Sequence, residues 1–103
     1  MENMNIAKTI LNQLGGNKFI VMTGAKNVIG GENFLQFQIG RNSKGITNVK
    51  IILNSLDLYD MTFYKMRSPI TEKMFKPVAE CNSIYGDMLD ECFEKNTGLL
   101  TKL

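Results

Sequence analysis

From Phe34 to Met66 the apolar residues abandon helical spacing and alternate, and that change of period sets the fold. In Phe34–Ile39 (FLQFQI), Leu35, Phe37 and Ile39 alternate with Gln36 and Gln38. In Asn48–Asn54 (NVKIILN), Val49, Ile51 and Leu53 alternate with Lys50 and Ile52, and in Leu58–Met66 (LYDMTFYKM), Tyr59, Met61 and Phe63 alternate with Asp60 and Thr62. Such alternation, bounded by Gly40–Gly45 (GRNSKG), by Asn54-Ser55 and by Ser68-Pro69, predicts half-buried antiparallel strands joined as a meander. The apolar run Lys18–Thr23 (KFIVMT) is rich in strand formers and predicts a further strand, linked to the meander through the glycine-bearing segment Gly24–Asn33. Residues 70–79 are ambiguous, since Pro77 is tolerated in an edge strand but not in a central one.

Helices flank this block. Ile6, Ile10, Leu11 and Leu14 form one stripe, with Asn3 or Asn5 as the N-cap and Gly15-Gly16 as the stop. From about Ser83, Ile84, Tyr85, Met88, Leu89, Cys92 and Phe93 form a second stripe, with Asp87, Asp90, Glu91, Glu94 and Lys95 on the other side. An alternating sheet has one apolar face and each helix one apolar stripe, so the economical solution buries them against each other. The expected fold is α+β: a two-layer sandwich in which an antiparallel meander of three to five strands carries an N-terminal and a C-terminal helix on one face. At 103 residues, 44% hydrophobic and 21% charged, the chain has room for one domain, residues 1–103. Leu11, Phe37, Ile51, Phe63, Leu89 and Phe93 are its expected core.

The composition removes much chemistry. Without histidine, Ser-His-Asp or Cys-His catalysis and histidine-ligated metal cannot be built from this chain. Cys81 and Cys92 lack C-x-x-C spacing; on one helix they would stand ~16 Å apart, too far to bridge. They are expected as free thiols, which fits a cytoplasmic setting. The N-terminal segment has no signal-peptide pattern, and no apolar run is long enough for a membrane span.

Three candidate features remain. The segment Thr23–Asn33 (TGAKNVIGGEN) is glycine-rich and carries Lys26, but matches no phosphate-loop spacing and reads better as a bulged connection. Asp57, Asp60, Asp87, Asp90, Glu91 and Glu94 could supply paired acids, but the helical ones lie on a solvated side and Asp57 belongs to a turn. The third is the outward sheet face, where Phe34, Ile52, Tyr64 and Met66 break the polar parity set by Gln36, Gln38, Lys50 and Thr62. Those four are the candidate protein interface. Charge adds a competing reading: residues 1–79 hold ten Lys/Arg against five Asp/Glu, and residues 80–103 hold two against five. Lys18, Lys26, Arg41, Lys44 and Lys50 are the candidate nucleic-acid contacts if the fold gathers them on one surface.

The runs NIAKTILNQLGGNKFIVMTGAKN (Asn5–Asn27), VKIILNSLDLYDM (Val49–Met61) and IYGDMLDECFEKNTGLLTKL (Ile84–Leu103) resemble short, uncharacterised proteins of bacteriophages and other mobile elements. The resemblance implies a small accessory protein that binds a host or phage protein, and carries no motif of assigned chemical role. The expectation is a non-enzymatic interaction protein without cofactor or metal. Its partner would be a host protein, such as a component of a defence system blocked in the anti-CRISPR manner, or a second copy of itself. The alternative is a nucleic-acid-associated factor whose binding is weak and salt-sensitive at a net charge of +2. No membrane partner is expected.

Overall fold

The computed structural model describes residues 5–65, 76–99 and 101. The first helix, α1 (Asn5–Leu14), follows its stripe. Ala7, Ile10 and Leu14 are buried, while Ile6 and Leu11 pack half-buried at the margin. Asn3, one of the two expected caps, lies outside the described residues.

The chain turns at Gly15-Gly16 into a second helix, α2 (Asn17–Thr23), where a strand was expected. The reason is spacing. Phe19 and Thr23 are buried and four residues apart, whereas Val21 between them is 79% exposed. A strand would put all three on one face; a helix sends Val21 to water. Thr23 Oγ1 donates to Phe19 O at 2.7 Å, so the one polar group carried inward is satisfied.

The expected link is also partly a strand. β1 (Lys26–Gly30) pairs antiparallel with β2 (Phe34–Gln38), followed by β3 (Asn48–Leu53), β4 (Tyr59–Lys65) and β5 (Lys76–Ile84). The five strands lie in sequence order, each antiparallel to the next, which is the expected α+β meander at its upper strand count. Pro77 sits in β5, an edge strand, as its missing N–H requires.

β5 runs further than the helical stripe suggested. Ile84 pairs with Tyr59, Ser83 has a left-handed backbone (φ 54°), and a 3-10 turn, Gly86–Met88, precedes α3 (Leu89–Thr97). The helix thus begins at Leu89 rather than near Ser83, and Leu89, Phe93 and Thr97 form its buried line. The late start corrects the reading of the cysteines. Cys81 lies on β5 and Cys92 on α3, which folds back over the strand with the two Cα atoms 7.0 Å apart, and the pair forms a disulfide.

α1 packs on β2 and α3, and α3 on β4 and β5, so the helices share one face of the sheet. Strand register builds the core beneath them: Leu35, Ile51, Met61 and Cys81 form one cross-strand row, and Phe37, Val49, Phe63 and Ala79 the next. At the centre, the Phe93 ring lies 5.1 Å from Phe19, 6.4 Å from Phe37 and 6.5 Å from Phe63. Of the expected core residues, only Leu11 is not fully buried.

Candidate functional site

The face of the sheet turned away from the helices carries three cross-strand rows. Phe34, Ile52 and Asp60 make the first. Ile29, Gln36, Lys50, Thr62 and Glu80 make the second, and Lys26, Gln38, Asn48, Tyr64 and Pro77 the third. Paired residues on adjacent strands share a face, so these rows follow from register alone.

The register brings Phe34 and Ile52 directly opposite each other, and separates both from Tyr64 by the polar second row. Met66 lies outside the described residues. Phe34 is fixed from two sides. A side chain at Gly31 would overlap its ring in this position, and Lys50 Nζ stands 4.9 Å from its centroid, a cation–π distance. Around Tyr64, a concavity of about 350 Å³ is lined by Gln36, Lys50, Tyr64 and Pro77. Beside it Asn48 is 5% exposed, and its Oδ1 has no hydrogen-bond partner among the described residues.

The five candidate cations do not converge. Lys18 lies in the first turn of α2, at the far end of that helix from Gly24, which touches Gly40 after β2. Lys26 and Lys50 share the helix-free face, where Asp60 and Glu80 balance them. Arg41 and Lys44 belong to the β2–β3 loop. The strands instead sort charge by their ends. Lys26, Arg41, Lys44 and Lys65 collect at the end holding the β2–β3 loop, while Glu32, Asp57, Asp60 and Asp87 collect at the other.

Several candidate acids are engaged in building the fold. Asp60 Oδ1 accepts the Ser83 N–H at 2.8 Å and the Asn54 side-chain amide at 3.2 Å. Glu94 accepts the N–H and hydroxyl of Thr101, both at 2.9 Å. The β3–β4 turn is closed by Asn54, whose Oδ1 accepts from Leu56 N and Leu58 N, rather than by Asp57, which supplies the left-handed residue (φ 61°). Among the described residues, no group of three or more His, Cys, Asp or Glu could hold a metal ion, and no helix is long and apolar enough to cross a membrane.

Sequence reasoning missed β1. It is an edge strand whose residues from Lys26 to Ile29 are all exposed, with Val28 at 41% and Ile29 at 55%. Its outer N–H and C=O groups pair with no described strand. The opposite edge carries Pro77, Glu80 and a register shift at Val78, devices that discourage another strand. β1 has a bulge at Asn27–Val28 and no charged residue beyond Lys26. Ile29 lies diagonally beside Phe34, so the edge continues into the Phe34–Ile52 pair. The visible signal was the apolar pair Val28-Ile29, followed by Gly30-Gly31 and then a strongly alternating strand, a hairpin pattern. Compared with protein-family models, curated proteins and solved structures, the chain matches none.

Proposed function

We propose that this protein is a non-enzymatic binding module that takes an extended segment of another protein as an additional strand on β1. The observation that carries the reading is the apolar edge of β1, open among the described strands, running into Ile29, Phe34 and Ile52. Strand addition draws affinity from main-chain hydrogen bonds and specificity from side chains beside the edge. The charge balance on the adjoining face suits a protein segment better than a polyanion. The resemblance to short phage-encoded proteins supplies the setting, in which the segment belongs to a host protein such as a defence component. A cytoplasmic location then requires Cys81 and Cys92 to be reduced there, because disulfides persist mainly in oxidising compartments.

Affinity capture from nuclease-treated host lysate, followed by hydrogen exchange on the recovered complex, tests the assignment. The amides of β1 should gain protection, and Ile29→Lys should lose the complex while the melting temperature stays within a few degrees. A complex that survives Ile29→Lys with unchanged exchange in β1 overturns it. Sedimentation of the purified chain shows whether a second copy takes the same edge.

A nucleic-acid reading has its own observation, the concavity in which Tyr64, Lys50 and Gln36 meet. Single-stranded oligonucleotide binding that is submicromolar at physiological salt and lost in Tyr64→Ala would put it first.

A further inference from the structure

Lys44, Lys65 and Lys95 come from three different elements and line one cleft of about 270 Å³ on the helix side of the basic end. Lys44 belongs to the β2–β3 loop, Lys65 ends β4, and Lys95 lies in the last turn of α3. Ile46, Val78, Ala79 and Asn96 complete the lining, which holds no carboxylate among the described residues. Among the described residues, no hydrogen bond or ion pair engages any of the three ammonium groups.

The surroundings shape this cleft. Val78 is the extra residue where the β4–β5 register shifts between Phe63 and Tyr64, and the bulge leaves it 48% exposed as a wall. Gly45 closes the turn from Asn42 in the left-handed region (φ 72°), and a Cβ there would stand 3.1 Å from Lys65 Cε. Glycine therefore permits both the turn and the path of the Lys65 side chain. The partial negative charge at the C-terminus of α3 accounts for Lys95 by itself. It does not account for Lys44 or Lys65, which line the same cleft.

We infer that this cleft binds the diphosphate group of a small ligand through Lys44, Lys65 and Lys95. A diphosphate carries roughly as many negative charges as the cleft has ammonium groups, and lysine serves phosphate as a mobile point charge. Apolar walls on two sides bound the ligand, and Lys18, Lys26 and Lys50 do not line the cleft, so the feature is not a track for a polyanion. The site is separate from β1, and neither reading depends on the other.

Calorimetric titration of the intact chain with pyrophosphate, with ADP and with a single-stranded oligonucleotide tests this at low salt. Pyrophosphate should bind, and Lys44→Gln, Lys65→Gln and Lys95→Gln should each weaken it about tenfold, roughly the loss of one charge-assisted contact. Lys18→Gln should leave it unchanged. Because all three cleft lysines are solvent-exposed, the variants should keep the parent's circular dichroism and melting curve. ADP binding with the same lysine dependence would identify a nucleotide as the carrier; pyrophosphate binding alone would identify the free anion. No heat with either compound overturns the inference. So does tighter binding of the oligonucleotide with equal sensitivity to Lys18→Gln, which would mark a diffuse basic surface.

Discussion

Asp60 Oδ1 accepts the backbone N–H of Ser83 at 2.8 Å across the β4–β5 ladder, at the register shift between the Tyr59–Ile84 and Met61–Cys81 pairs, and so fastens the bulge there. Ser83 is held there with φ 54°, a conformation that costs an L-residue roughly 1–2 kcal/mol. Asp60→Ala should destabilise the fold by about 1–3 kcal/mol, because it strips one carboxylate from both Ser83 and Asn54. Ser83→Gly should be neutral or stabilising, since glycine adopts the same backbone freely. Urea unfolding of the two variants checks the pair. An Asp60→Ala protein as stable as the parent would mean that the bulge at Ser83 is held by other contacts.

The disulfide yields a second prediction. Cys81 and Cys92 close an eleven-residue separation, and reduction should lower stability by roughly 2–3 kcal/mol through the freedom regained by the unfolded chain. Alkylation under native, non-reducing conditions should label neither cysteine, and after reduction it should label both. Labelling of both without reductant would return the pair to the free thiols expected from sequence.

Phe93 touches three other aromatic rings and is fully buried. Phe93→Ala should cost ~3–5 kcal/mol, a large share of the roughly 5–15 kcal/mol available to a domain. Leu11→Ala should cost distinctly less, since Leu11 is only partly covered. Denaturant midpoints of the two variants give the comparison, and equal losses would mean that α1 packs more deeply than described.

Tyr59 gives the fold a pH dependence on the alkaline side. Burial pushes its phenol pKa above the ordinary value of 10.0, so the folded state holds the proton more tightly than the unfolded chain. The folded state then binds more protons wherever the unfolded tyrosine has begun to ionise. Stability from this group is complete below about pH 10 and is lost as pH rises through the elevated folded value. Melting temperatures of the parent and Tyr59→Phe should run parallel up to about pH 9. Above that the parent should fall more steeply, and parallel curves throughout would exclude the mechanism.

The meander was legible because β2, β3 and β4 each bury one face and leave the other half-covered, which writes alternation directly into the sequence. β1 left no such trace, since Lys26, Asn27, Val28 and Ile29 are all exposed and an unburied strand has nothing to alternate. Lys18–Thr23 is too short for period to separate helix from strand. Its β-branched and aromatic content pointed the wrong way until packing selected Phe19 and Thr23 together. The start of α3 was misplaced because Ile84 and Tyr85 happen to extend the helical stripe, although Ile84 belongs to the sheet and Tyr85 is 64% exposed. The outward face was readable from parity, but the Phe34–Ile52 pairing and its separation from Tyr64 depend on register. The lysine cleft was not readable at all, because residues 44, 65 and 95 meet only through tertiary folding.

Among the described residues of the sheet and its loops, the sorting of charge by strand ends sets up a gradient along the strand direction, so a charged segment docking on β1 as proposed would be turned before contact rather than after it. At β1 this would set polarity for the proposed added strand: its acidic end would be drawn toward Lys26 and its basic end toward Glu32. Two copies meeting edge to edge would feel the same torque, which favours the antiparallel arrangement and penalises the parallel one. Added salt would shorten the range of that orienting field and slow the proposed capture, while leaving the main-chain hydrogen bonds formed afterward nearly unchanged. On the proposed strand addition, the charge pattern would govern how fast and which way round a strand arrives, and the edge how long it stays.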